Sequence, residues 1–498
     1  MHNHRRRGPR RRAGVIALAG AAALGVAAAA PAADAKPSQT KWYHSRKDLR
    51  PPKVTVTHPA SGTYSGYIVS APRPPSDNVR MGPLLFDDQG RVVFFHPLRR
   101  GATAVDFQVQ RYQGRPVLTW SQRPTIHGVN IFAGQPSQEF DVIVDQHYHR
   151  IKTLRALGAG VHTQLHEFLL TPRGNAIVVG YRFLKRDARA VGGSKDQTVI
   201  DQIVQVVRVK NNKVLFNWHS INHVPLTDSV FKATPGKTFD YFHLNSVHVT
   251  PDHNLIISGR HVSAAYKVSL KTGKVIWRLG GKHSDWKLSN DARFAFQHDV
   301  VLRKGAKVSM FDNHAAAFNG TGARGLLLQL DTRSHTATKI ASFAPSTPRE
   351  APSQGDVEHL GNGDWLVGWG VSPFASEYGP GGDLKWAATL PSMSFQSYRT
   401  FRHHWHGYPG RPPALVASRD AGGTVTAFAS WNGSTEVRSW VLMGGSRSGH
   451  LHKVGEAAWD HFETKLKAKA SDPLVRVLAL DADRKVIGVS PVVRPTTG

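Results

Sequence analysis

Three short polar clusters interrupt a β-patterned stretch between residues 242 and 314. They are FHLNSVH (242–248), SGRH (258–261), and QHD with FDN (297–299 and 311–313). Together they offer His243, Asn245, Arg260, His298, Asp312 and Asn313. The imidazoles can act as nucleophile or base, the amides and imidazoles as hydrogen-bond donors, and the guanidinium as a fixed cation. The chain has no cysteine, no G-x-x-x-x-G-K-S/T loop and no HExxH. Such a set suits a compact oxyanion handled without a metal or a nucleotide.

What must position these residues is a long, turn-rich chain. Its 498 residues are 40% hydrophobic and 20% charged, which is globular rather than disordered. Gly 46 and Pro 30 indicate many turns, as in all-β proteins. The first 35 residues read as a secretory signal peptide. RRRGPRRR (5–12) is a basic start, Ala13 to Ala30 an apolar run, and Ala33-Asp34-Ala35 a cleavage site that leaves Lys36 as the mature start. An N-terminal membrane anchor is the competing reading, and the small-residue exit favours cleavage. No other run reaches the roughly 18 apolar residues that span a bilayer. Without cysteine, an exported chain must rely on its core, which this length allows. Net charge is +29; removing six Arg and one Asp with the leader leaves +24. That charge attracts anionic substrates and acidic cell envelopes. The basic residues are dispersed, which argues against nucleic acid.

Beyond the leader, two kinds of hairpin alternate. Compact apolar ones are DFQVQRYQGRPVLTW (106–120), HEFLLTPRGNAIVVG (166–180), VHVTPDHNLIISGR (247–260), VVLRKGAKVSMFDN (300–313) and VEHLGNGDWLVGWG (357–370). More polar ones follow each, at 139–154, 203–218, 266–280, 326–343 and 374–390, and another lies at 84–95. An inner plus an outer hairpin makes a four-stranded antiparallel blade, and repetition at 50–80 residues is the mark of a β-propeller. Five blades are countable, and a sixth closes from 84–95 with a late strand near SYRTF (397–401). The expectation is therefore all-β: residues 36–83 as a lead-in and 84–406 as a six-bladed propeller. GYPGRPP (407–413) is a linker, and 414–498 a small immunoglobulin- or fibronectin-like sandwich. An array of sandwiches or a β-helix would not alternate apolar with polar hairpins. In a propeller the residues entering each inner strand converge on one mouth of the channel, which adds His166, 77 residues before His243.

In these motifs the chain resembles the arylsulfotransferase family, in its actinobacterial and fungal branch. The resemblance is carried by DYFHLNSVHVTPDHNLIISGRH (240–261), YKVSLKTGKVIWRLGG (266–281), FAFQHDV (294–300), MFDN (310–313) and GDVEHLGNGDWLVGWG (355–370). SYRTFRHHWHG (397–407) and SWNGSTEVRSW (430–440) extend it into the tail. It implies a six-bladed propeller that moves a sulfuryl group from an aryl sulfate to a phenolic acceptor. The implied route is ping-pong through a sulfated histidine, without phosphoadenosine phosphosulfate and without cofactor or metal. By motif match His298 takes the nucleophile position, His243 and Asn245 the HxN pair, Arg260 the S-x-R arginine, and His166 an earlier active-site histidine. The chain departs from better-characterised members in having no disulfide, no N-terminal β-domain and this C-terminal extension.

The chemistry is coherent on these residues. Arg260 can neutralise two sulfuryl oxygens, and His243 and Asn245 can donate to them. His298 must attack as the neutral base, with Asp312 or a backbone carbonyl orienting its ring, and His243 or His166 can protonate the departing phenolate. Asn313 and His359 are candidate substrate contacts. Plainer readings compete: a histidine at a strand start is commonly structural, and FDN can be an Asx turn. Trp365 and Trp369 fit blade packing. His403, His404 and His406 have metal-like spacing but no nearby carboxylate. A non-catalytic secreted propeller that binds an anionic glycan or cell-wall ligand is the alternative function, and the basic surface or the tail offers contact with a cell envelope.

Overall fold

The computed structural model describes residues 38–74, 79–124, 138–313 and 322–497. The expected leader and its cleavage site lie outside them. Residues Gln39–Gly498 form one compact unit. Among the described residues the only helices are five three-residue 3-10 turns, and no helix is long and apolar enough to cross a membrane.

The strands of the described residues fall into eight small sheets. Six follow one another along the chain and are antiparallel, apart from the parallel edge pair of Lys287–Leu288 with Thr336–Phe343. Four begin on the strands Thr103–Tyr112, His162–Leu170, Leu244–Val249 and His298–Arg303. A fifth begins on Asp356–His359. The sixth joins the late strand Thr400–His403 to Tyr67–Ser70, Leu84–Phe86 and Val92–Phe95. First strands of successive sheets touch, and Thr400–His403 touches both the Asp356 strand and the Thr103 strand, so the series closes on itself.

Packing explains the closure. Each junction between successive sheets holds its own apolar cluster. Side chains alternate across a strand, so one strand feeds two clusters: Ile256 packs with Val300 and Met310 of the next sheet, Ile257 with Ile177 and Val179 of the previous one. Inner strands are therefore buried on both faces, as Leu255–Gly259 is throughout. Outer strands such as Lys213–His219 alternate with solvent.

The lead-in expected over 36–83 is shorter than that. Tyr67–Ser70 is the second strand of the closing sheet, and Thr55–His58 pairs with Leu384–Thr389 at the edge of another. Both are four residues long; Thr55–His58 pairs with distant chain, and Tyr67–Ser70 joins Leu84–Phe86 across the long connection 71–83 and distant chain on its other side, so neither forms a tight hairpin visible in sequence.

The two remaining sheets lie after residue 413. One joins Ala414–Arg419, Thr424–Ser430, Glu463–Lys469 and Thr496–Thr497; the other joins Ser439–Arg447, His450–Ala458, Leu474–Leu480 and Val486–Val489. Both feed one core, with Leu415, Ala427 and Leu466 against Trp440, Leu442 and Val477. The WNG turn ties them to the rest of the unit: Asn432 exchanges two hydrogen bonds with the Phe95 backbone, each 3.0 Å, and Tyr148 donates to Gly433 O at 2.6 Å.

Candidate active site

Bulges at the starts of the first strands aim polar side chains at the axis. Registers slip between Val105 and Gln108, Leu244 and Ser246, and His298 and Val301. Asp106, His243 and Asp299 there have φ of 55°, 52° and 50°. A bulge breaks the period-2 alternation. Asp299, next to His298 in the chain, is turned by this bulge to bond His248 at 2.9 Å and accept Val357 N–H at 3.0 Å.

An ionic floor fills the channel beneath the histidines. Arg399, 1% exposed, donates to Asp106 at 3.1 Å, to both Glu167 oxygens at 2.9 Å, and to Asn245 O at 3.2 Å. Tyr398 OH donates to the same Asn245 carbonyl at 2.9 Å. Burial pushes the Asp106 carboxyl up to about 7, although Arg399 pulls it down. Buried charges at this density hold only while paired.

Above the floor, four imidazoles share one arrangement, with Nδ1 hydrogen-bonded to an oxygen. His298 is 2% exposed, and its Nδ1–H donates to Asn313 Oδ1 at 2.6 Å. Asn313 cannot be flipped, because its Nδ2 donates to Ala351 O at 2.6 Å and Gln354 O at 2.9 Å. His298 Nε2 accepts the Gln354 N–H at 3.1 Å. Gln354 has φ 64°, and Gly355 has φ 101° where a Cβ would meet the Phe311 ring at 2.5 Å. That turn thus needs its glycine. Burial, reinforced by Arg260, holds the His298 imidazole well below its usual pKa, with Asn313 pulling the other way.

The other three meet around Asp240. His243 Nδ1 bonds Asp240 Oδ2 at 2.6 Å, and His261 Nδ1 donates to Asp240 O at 2.6 Å. His166 Nδ1 donates to Gln164 Oε1 at 2.7 Å, Gln164 to Gln202 at 2.8 Å, and Gln202 to Asp240 Oδ1 at 3.1 Å. Burial raises the Asp240 pKa, but the charge and hydrogen bond of His243 overcome it, so the carboxyl stays ionised. Burial and His243 push His261 down to about 4 and His166 well below its ordinary value. Ring centroids lie 5.1 Å apart for His166 and His243 and 4.4 Å for His243 and His261. Arg260 donates through its backbone N–H to His243 O at 3.0 Å and through Nη2 to Pro352 O at 2.9 Å, while its buried Nε has no partner.

Asp240, His243 and His261 are close enough to hold a metal ion. Their facing atoms are N–H groups and the oxygens that accept from them, so hydrogen bonding already accounts for the spacing. Chemically, the site joins a neutral imidazole of fixed tautomer to a guanidinium and a carboxylate-backed histidine. This is equipment for attack on an anionic, oxygen-rich centre.

His298, His243, Arg260 and His166 come together. Asn245 lies beneath them, fully buried, its Nδ2 donating to Gln297 O at 2.6 Å; it fixes the backbone entering His298 instead of facing a substrate. Asn313 orients His298, in place of the substrate contact expected of it. Asp312, expected to orient that ring, bonds Arg324 at 3.0 Å and Ala295 N–H at 3.1 Å. His359 ends its strand about 10 Å from Asp356. It packs on Trp365 at 4.5 Å, the ring Arg303 also covers, so it sits at the opposite mouth of the channel. There, with Tyr64, Arg111, Glu358, His403 and His404, it lines a cavity of about 550 Å³. His406 is elsewhere, paired with Glu436 at 2.8 Å. Trp365 and Trp369 are buried in a junction cluster. Sequence reasoning missed Asp240, His261, Gln164, Gln202, Gln354, Tyr398 and Arg399. An acid three residues before His243 and a histidine beside Arg260 were the available signals.

The arylsulfotransferase (ASST) family model matches residues 108–390. No curated protein matches the chain. The solved structures it is similar to are distant. One is a protein of unknown function from Bacteroides caccae, 11% identical with a TM-score of 0.41, covering 68% of this chain and 98% of its own. Another is a virginiamycin B lyase from Staphylococcus aureus, 7% identical with a TM-score of 0.35, covering 67% and 88%. The family match spans more than half of the sequence and contains His166, His243, Arg260 and His298, and the chain belongs to the arylsulfotransferase (ASST) family.

Proposed function

We propose that this chain is a secreted aryl-sulfate-dependent sulfotransferase, built as a six-bladed propeller with a C-terminal β-sandwich. His298 Nε2 attacks the sulfur of a phenolic sulfate ester. The S–N bond forms as the S–O(aryl) bond breaks, and Arg260 neutralises the spread charge on the sulfuryl oxygens. His243 lends a proton to the departing phenolate, since the Asp240 carboxylate at 2.6 Å balances its positive form; His166 has only a neutral amide behind it. A second phenol then attacks the sulfohistidine, returns its proton to His243 and frees His298. The donor, the acceptor and the product are small molecules, and the cycle calls for no cofactor.

The observation that carries this reading is His298 itself: buried, neutral, its Nδ1–H fixed on Asn313 and its Nε2 left as an acceptor beside Arg260. One contact favours the competing reading of a non-catalytic module for anionic ligands. The Gln354 N–H occupies the Nε2 lone pair, so an electrophile must displace it. The two readings separate when purified protein is given an aryl sulfate with and without a phenol, and no nucleotide sulfate. Phenol-dependent turnover with a sulfated acceptor is the expected result. Binding of the ester without turnover, across several donors, would leave only the binding module.

A further inference from the structure

Beside the histidines, the mouth of the site carries an apolar surface that sulfuryl transfer itself does not require. Phe231 is 44% exposed. A single exposed phenylalanine is unremarkable, but this one is held in place. Val230 N–H donates to His261 O at 2.9 Å, Phe231 N–H to Ser229 Oγ at 3.2 Å, and Lys282 Nζ to the carbonyls of Thr227 and Ser229, each at 2.7 Å. The Phe231 ring meets His261 edge-on at 4.7 Å and Phe296 at 5.8 Å.

Phe296 is strained. Its φ is 55°, a region that bulky residues rarely occupy. The backbone there is held by a hydrogen bond from Phe296 N–H to Ser263 Oγ at 3.3 Å. Strain retained at a mouth points to a role for the ring it aims. That ring lies 4.9 Å from the Arg260 guanidinium carbon. Arg260 in turn reaches Pro352, two residues from the amide that caps His298. A second path runs ring to ring from Phe231 through His261, His243, His166 and Tyr398 to His298, with no step longer than 6.5 Å.

We propose that Phe231 and Phe296 form the platform on which the substrate's aromatic ring docks, and that they set the preference for aryl over alkyl esters. This rests on the sulfuryl-transfer reading. An aryl sulfate has an anionic head and a flat apolar body joined by one oxygen. Arg260 serves both ends: its donors face the head, and its guanidinium stacks on Phe296 beside the body. Aromatic rings 4.5–7 Å apart in tilted or edge-on geometry attract one another beyond their apolar contact. An alkyl chain gains only the apolar part.

The test is steady-state kinetics of Phe231→Ala and Phe231→Trp with matched aryl and alkyl sulfates, at constant phenol. Phe231→Ala should raise the aryl KM about 5- to 10-fold. Its kcat should fall by less than that factor, and the aryl-to-alkyl selectivity should drop by a similar factor. Phe231→Trp should restore both. Phe231 is exposed, so the melting temperature should stay near wild type. Equal shifts for aryl and alkyl esters, or an unshifted aryl KM in the folded variant, would overturn the platform. If wild type transfers no sulfuryl group, the proposed function fails instead. Titration with a phenol then decides the platform alone, and equal affinity of wild type and Phe231→Ala would reject it.

Discussion

Replacing Asn313 by alanine tests the chemistry without touching the proposed nucleophile. Asn313 is fully buried and makes three hydrogen bonds, one accepted from His298 and two donated to Ala351 and Gln354. Removal orphans one N–H and two carbonyls. Each orphan costs roughly 1–3 kcal/mol. Water can enter the vacated space, so the low end applies, and a loss of about 3 kcal/mol in stability follows. The rate effect has a separate origin. When Nε2 bonds to sulfur the ring becomes positive, and the bond from Nδ1–H to Asn313 becomes charge-assisted. Such bonds are worth about 1.5–3 kcal/mol. Adding the freedom of an unheld ring, a transition-state loss of about 2–3 kcal/mol corresponds to roughly 30- to 150-fold in rate. The assay is the pre-steady-state burst of phenol from a chromogenic aryl sulfate, which isolates the first half-reaction. Asn313→Asp keeps the acceptor but favours the protonated ring, so its deficit should deepen as the pH falls. A folded Asn313→Ala protein whose burst is within two-fold of wild type would refute the reasoning.

Other expectations follow from the same contacts. Arg399→Met leaves Asp106 and Glu167 buried without their cation and should cost about 3–5 kcal/mol in denaturant unfolding; adding Glu167→Gln should recover part, and an unchanged midpoint in the single variant would contradict the ionic floor. His298 acts as the free base, and its pKa lies well below the ordinary imidazole value. Activity should therefore persist as the pH falls through about 6.5, where a free imidazole is half protonated; an acid limb of kcat/KM at or above 6.5 assigned to His298 would contradict its burial. Asp240→Asn removes the charge behind His243. It should slow release of weakly acidic phenols about tenfold more than release of acidic ones, and an unchanged dependence on leaving-group pKa would remove His243 from the proton transfer.

Much of the fold was legible because strand pairing is local. The turns at Gly114, Gly174, Gly305 and Gly363 each sit between strands that pair with one another. Closure was less legible, since Tyr67–Ser70 pairs with a strand more than 300 residues away. At the site, histidines at strand entries were found because entry position is a property of sequence. Partners were not. Asn313 rather than Asp312 orients His298, Asp299 is turned by a bulge, and Asn245 lies under the site, each decided by backbone geometry that alternation does not encode. His359 stands at the end of the strand that Asp356 begins, away from the strand entries that hold the other histidines.

The central claim is that His298 carries the sulfuryl group. It is tested most directly by mixing the protein with an aryl sulfate in the absence of acceptor, digesting at neutral pH, and mapping added mass by tandem mass spectrometry. The account predicts one SO3 on the peptide containing His298, localised to that residue and discharged on adding a phenol. Phenol released in a burst with the label on another residue, or on none, would contradict it.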